Sequence, residues 1–97
     1  MPLAPIWEED VDVLIDDDIG TDIPAQLIVF NDHHNTFDWV VRCFMEILRH
    51  TSDQAEQLSI IIHHKGKATV KSGQKPELLP LREALADRGL SAVVEEF

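Results

Sequence analysis

The chain has 97 residues, 44% of them apolar, and a formal net charge of −10. That length holds one domain with a single modest core. An acidic balance offers nucleic acid and anionic membrane no basic surface to bind, and no apolar run is long enough to cross a bilayer. The N-terminus lacks the basic region and apolar stretch of a secretory signal, which predicts a cytoplasmic protein. The lone cysteine, Cys43, cannot form an internal disulfide, in keeping with a reducing compartment.

The charge is unevenly spread. Residues 1–24 hold eight acids (Glu8, Glu9, Asp10, Asp12, Asp16, Asp17, Asp18 and Asp22) and no Lys or Arg, whereas residues 25–97 hold ten acids and eight bases, a net of −2. Pro2, Pro5, Gly20 and Pro24 punctuate the acidic part. This predicts a disordered acidic N-terminal extension over 1–24 and a folded core over 25–97. Ile6, Trp7, Val11, Val13, Leu14 and Ile15 are more than a solvating tail needs. They favour a short interaction motif, since Trp is enriched at interfaces.

The core opens with an apolar strand, Gln26–Phe30. A helix follows from near Thr36, capped by Asn35 or Thr36, with Asp38 in its first turn. Phe37, Val40, Val41, Phe44 and Leu48 give it an apolar stripe, and Cys43 reads as a small hydrophobe beside it. Thr51 and Gln54 form the capping box of a second helix. Ala55, Leu58, Ile61 and Ile62 are its expected inner side, and Gly66 its stop. Lys67–Lys71 alternates polar and apolar and reads as a half-buried strand. Ser72-Gly73-Gln74 reads as a turn. Pro76 opens a third helix whose Leu78, Leu81 and Leu85 face inward. Pro80 in or near its first turn leaves its start irregular or one turn later. Gly89 ends it, and Leu90–Glu95 is the last strand. The expected fold is α+β: a two-layer sandwich in the order β-α-α-β-α-β, with three helices on one face of a three-stranded antiparallel sheet.

The candidate site is the run Asn31-Asp32-His33-His34-Asn35-Thr36-Phe37, where the first strand gives way to the first helix. Polar groups at such a junction are exposed yet firmly mounted. Taken alone, the same residues are also ordinary turn formers.

The core resembles a known family. Asn31-Asp32, Asn35-Thr36-Phe37, Trp39-Val40-Val41, Gln54-Ala55, Gln57-Leu58 and Ile62-His63-His64-Lys65-Gly66-Lys67-Ala68 follow one another in the order and spacing of the ClpS adaptors. Those adaptors hand N-degron substrates to Clp AAA+ unfoldases of ClpA or ClpC type. The resemblance covers roughly residues 26–95. It implies that Asn31, Asp32 and His63 bind the α-amino group of a substrate's first residue. It also implies an apolar pocket lined by Phe37, Val40, Ser59 and Ile62, which takes a bulky Leu, Phe, Tyr or Trp. His33 and Asn35 are the candidates for contact with the peptide backbone. Many members carry a second acid where this chain has His33, and Met where it has Phe37. No catalytic residue, metal or cofactor is implied.

The assignment makes physical sense. A free N-terminus is marked by an ammonium with three donors, so its receptor needs converging acceptors, one of them anionic. His63 must be neutral to accept, so binding is expected to weaken at acid pH. Three rival readings exist. A metal site of His33, His34, His63 and His64 is the first, but their spacing fits no zinc pattern. Asp32 with a His would make an acid/base pair, but Ser59 is the nearest nucleophile and lacks an activating partner in the sequence. A ribosomal or structural interaction module of similar fold is the third, and fold alone does not carry function.

Overall fold

The computed structural model describes residues 23–97. The expected state of residues 1–22 lies outside this range. Ile23 and Pro24 already belong to the folded part: the Lys75 amide donates to the Ile23 carbonyl at 2.8 Å, and Pro24 opens the first strand.

The elements are β1 (Pro24–Phe30), α1 (Phe37–Ile47), α2 (Ser52–Lys65), β2 (Lys67–Gln74), α3 (Lys75–Asp87) and β3 (Ser91–Glu96). The sheet order is β2-β1-β3, and both pairings are antiparallel. The expected sandwich is therefore the observed one. Successive strand residues alternate faces, so Ala25, Leu27 and Val29 of the central strand point to the helices, with Ala92 of β3 and Val70 of β2 beside them. Phe44, Leu48, Ala55, Ile62, Leu78 and Leu85 close the core from the helical side. The other face of the sheet shows Gln26 bonded to the Thr69 hydroxyl, which donates at 2.6 Å.

Three expectations change. β2 does not end at Lys71: Ser72, Gly73 and Gln74 continue the ladder opposite Gln26, Ala25 and Pro24. A bulge at Val70 lets this longer strand follow the twist, because Leu27 pairs with Lys71 while Ile28 pairs with Thr69. α3 starts at Lys75 and runs unbroken through Pro80. The carbonyl four residues before Pro80 belongs to Pro76, in the first turn, where the helix is least constrained. On α2 the buried positions are Ala55, Ser59 and Ile62, while Ile61 is 39% exposed. Spacings of four and three keep one helical face. Ile61 falls off that face, and the small Ser59 falls on it.

Chain reversals fix the two helices that matter for the site. After α1, Arg49 takes φ 62° and the His50 amide reaches back to the Phe44 carbonyl at 3.3 Å, closing the helix end. The His50 ring meets Phe44 edge-on, with centroids 6.2 Å apart. Burial, together with the nearby Lys71, holds the His50 imidazole below the usual histidine range. Thr51 and Gln54 then cap α2 reciprocally, at 3.2 and 3.1 Å. After α2, Gly66 takes φ +93° and its amide donates to the Ile62 carbonyl at 2.9 Å. Its own carbonyl accepts from the Asn31 amide at 2.8 Å. That bond ties the end of α2 to the end of β1.

A Cβ on Gly66 would meet nothing within 4 Å. Gly66→Ala therefore tests backbone conformation alone, and it is expected to lower unfolding free energy by about 1 kcal/mol, the usual cost of a left-handed non-glycine residue. Urea denaturation reads it; an unchanged midpoint would show that this turn carries no conformational demand.

Candidate functional site

Asn31, Asp32, His33, Asn35, Thr36, Phe37, Val40, Ser59, Ile62 and His63 line one open cavity of about 320 Å³. The residues come from three places: the bend after β1, the first turns of α1, and the last two turns of α2. They meet because α1 and α2 form a hairpin, which sets the end of α2 beside the start of α1. All the candidate site residues lie along this cavity. Thr36 joins them. Its hydroxyl accepts from the Trp39 amide at 3.1 Å, making it the α1 cap in preference to Asn35.

The loop is organised by Asp32. Its Oδ1 accepts from the backbone amides of His34 at 2.9 Å and Asn35 at 3.1 Å. The Asn35 side-chain nitrogen lies 2.9 Å from both carboxylate oxygens and donates to the Gly89 carbonyl, also at 2.9 Å. An amide nitrogen has two hydrogens, so one is shared by the carboxylate and the other is spent on Gly89. The Ser91 hydroxyl donates weakly to Asp32 Oδ2, at 3.4 Å. Partial desolvation pushes the Asp32 carboxyl up, but the His34 and Asn35 donors outweigh it and hold the group below the usual carboxylate range. The site thus keeps a fixed anion.

One further bond anchors α1. The Trp39 indole donates to the Arg88 carbonyl at 3.0 Å, and the Arg88 guanidinium lies over the same ring at 5.7 Å. Arg88 also pairs with Glu46 at 2.7 Å. The start of α1 is therefore pinned to the turn between α3 and β3 by Asn35 and Trp39 together.

The lining is part polar and part apolar. Asn31, Asp32 and His63 carry groups able to accept hydrogen bonds, and Phe37, Val40 and Ile62 supply hydrocarbon, with Phe37 44% exposed and Ile62 4%. Ser59 is buried, and its hydroxyl donates to the Ala55 carbonyl of its own helix at 2.8 Å. That proton goes to backbone, not to an imidazole, so the hydrolase reading gains no activated nucleophile. The His63 and His64 rings meet edge-on at 5.5 Å. Among the described residues no group of three or more His, Cys, Asp or Glu side chains is placed to hold a metal ion.

A family model described as "ATP-dependent Clp protease adaptor protein ClpS" matches residues 21–92. The chain belongs to the ClpS family. It is similar to the ClpS adaptor of Streptomyces coelicolor, at 33% identity over 77% of this chain and 78% of that one. It is also similar to the adaptor of Corynebacterium efficiens, at 30% identity over 98% of this chain and 94% of that one. Among solved structures, Agrobacterium tumefaciens ClpS2 bound to L-phenylalaninamide shares the fold, with a TM-score of 0.75 at 16% identity, covering 77% of this chain and 98% of that one. As a ClpS protein the chain is an adaptor of the Clp protease, not itself the protease, and its partner is a Clp assembly. No helix among the described residues is long and apolar enough to cross a membrane.

The Asp32 network has a pH signature. Its folded pKa is depressed, so the unfolded chain takes up the proton first on acidification. The stability it contributes is complete above the ordinary aspartate value of 3.8 and is lost as the pH falls below it, through the lower folded value. Asp32→Asn keeps an acceptor oxygen and removes the titration. Urea midpoints measured from pH 6 to pH 2.5 are expected to fall less steeply in this variant than in the unaltered chain. Parallel curves would mean that the carboxylate does not couple to folding.

Proposed function

We propose that the cavity holds the free N-terminus of a substrate protein whose first residue is bulky and apolar: Leu, Phe, Tyr or Trp. The adaptor then delivers that protein to a Clp AAA+ unfoldase of ClpA or ClpC type, in the cytoplasm. The α-ammonium sits on Asn31, Asp32 and His63, and the first side chain sits among Phe37, Val40, Ser59 and Ile62. The observation that carries this reading is the combination of one carboxylate, hydrogen-bond acceptors and hydrocarbon in the lining of a single cavity. An N-terminal residue is the part of a protein that offers an ammonium and a side chain on the same carbon. The ligand of Agrobacterium tumefaciens ClpS2, L-phenylalaninamide, has that constitution: a free amine beside an aromatic side chain.

The energetics suit an adaptor. Hydrogen bonds to a charged group contribute about 1.5–3 kcal/mol each, and burying a Leu or Phe side chain contributes about 1.5–3 kcal/mol. Association costs take back much of this, leaving affinity near the micromolar range, from which cargo can be released. A neutral His63 accepts from the ammonium, whereas an imidazolium repels it.

Peptides that differ only in the first residue test the reading by fluorescence anisotropy. Those beginning with Leu, Phe, Tyr or Trp are expected to bind, and the same peptides N-acetylated are not. Equal binding of the two forms would end the proposal.

A second test separates the charge of Asp32 from its loop-holding role. Asp32→Asn removes the anion but keeps the acceptor for the His34 and Asn35 amides. At least a tenfold loss of affinity is expected, or about 1.4 kcal/mol, with a native circular dichroism spectrum. Unchanged affinity would remove Asp32 from the ammonium site.

A further inference from the structure

We propose that His33 reads the second residue of the bound peptide and favours an acidic side chain there. This rests on the N-terminal recognition proposed above and extends it by one residue.

With the ammonium at Asn31, Asp32 and His63, and the first side chain against Phe37, Val40 and Ile62, the peptide leaves past the remaining lining residues. These are His33, Asn35 and Thr36. Two of the three already have partners in the fold. Both hydrogens of the Asn35 amide nitrogen go to Asp32 and Gly89, leaving its carbonyl oxygen, and the Thr36 hydroxyl oxygen accepts from the Trp39 amide, leaving its own hydrogen. Among the described residues no side-chain partner engages His33, which is exposed. Its position is nonetheless fixed. The bond from the His34 amide to Asp32 Oδ1 closes a short turn across it, and the Asn35 amide reinforces the turn. A donor-bearing side chain on an ordered loop, at the mouth of the cavity and without a partner among the described residues, is placed to contact the ligand.

The surrounding charges give the contact its sign. Among the described residues Asp32 is the one carboxylate that lines the cavity. Its Oδ1 is turned to the loop amides, and the ammonium neutralises it in the complex. His63 lines the same cavity and His34 follows on the same loop; both are imidazoles. Asp38 and Glu56 line a separate groove on the far side of Phe37. A carboxylate on the second residue therefore meets an imidazole N–H and, among the described lining residues, no acid other than Asp32, whereas a lysine ammonium there finds on His33 one neutral acceptor nitrogen at most. The pair is exposed to solvent, so the effect is modest: exposed ion pairs and charge-assisted contacts give roughly two- to fivefold in affinity.

The test uses the full chain and three peptides, Leu-Glu-, Leu-Gln- and Leu-Lys-, identical beyond the second residue, each with a free and an acetylated N-terminus. Affinities are measured by anisotropy at fixed ionic strength. For the unaltered chain the Glu peptide is expected to bind about threefold more tightly than the Lys peptide. In His33→Ala the ratio is expected to fall to about one, and in His33→Asp to invert, because a like charge then faces the Glu peptide. The acidic N-terminal residues are the same in every protein of the series, which differ only at position 33. If the free amine is required but the Glu-to-Lys ratio is the same in all three proteins, His33 does not read the second residue and the proposal is overturned. A Glu preference that survives in His33→Ala overturns it equally. If acetylation makes no difference to binding, the failure lies instead with N-terminal recognition.

Discussion

The Asp32 carboxylate closes the loop between β1 and α1 upon itself, and most of the site's geometry follows from that closure. Two backbone amides and one side-chain amide converge on it within 3.1 Å. The side-chain amide is that of Asn35, whose second hydrogen reaches the Gly89 carbonyl, 54 residues along the chain. A short-range turn and a long-range tether therefore share one residue. The loop cannot relax without releasing the turn before β3, and the start of α1 cannot shift without stretching the loop. The same donors that organise the loop also keep the carboxylate ionised, so structural order and the negative charge of the cavity have one cause.

A second constraint completes the cavity. The Asn31 amide donates to the Gly66 carbonyl, joining the last residue before the loop to the residue that ends α2. Gly66 can adopt its left-handed conformation without strain, so α2 stops one turn after Ile62 and His63, and the chain turns directly into β2. Asn31 and His63 are 32 positions apart in the sequence and line the same cavity. The core beneath supplies the rigidity: Ile62 is buried in it, whereas Phe37, on the same cavity, is left 44% exposed. An apolar ring left facing water at the mouth of a concave site is a common mark of a surface that meets a partner.

The division of labour suits an adaptor. The recognition proposed for the cavity makes and breaks no covalent bond; it calls for a fixed anion, acceptors and a hydrocarbon wall. Ser59, the one hydroxyl buried in it, spends its proton on the Ala55 carbonyl and serves as a small wall residue. Small size at that position, on the inner face of α2, leaves room that a larger side chain would fill.

Much was legible in the sequence because it is written in local chemistry. The β-α-α-β-α-β order, the Thr51–Gln54 capping box, the Gly66 stop and the inward Phe44, Leu78 and Leu85 all rest on contacts within a few residues or on helical periodicity. The resemblance of Asn31-Asp32 and the His63 segment to the ClpS adaptors named the family directly. Other features depended on distant partners and could not be read. The strand through Ser72-Gly73-Gln74 looks like a turn until Pro24, Ala25 and Gln26 are seen to pair with it. Ser59 shares the buried face of α2 with Ala55 and Ile62, a place that a search for apolar side chains alone passes over. Asn35 reads equally as a cap, a turn residue or a ligand contact; only the approach of Gly89, 54 residues away, commits its amide. The sequence by itself determined the elements and the kind of groups on offer. The tertiary structure decided which of those groups are spent on holding the loop and which are left facing the cavity, because hydrogen bonds between remote backbone and side-chain atoms exist only once the chain is folded.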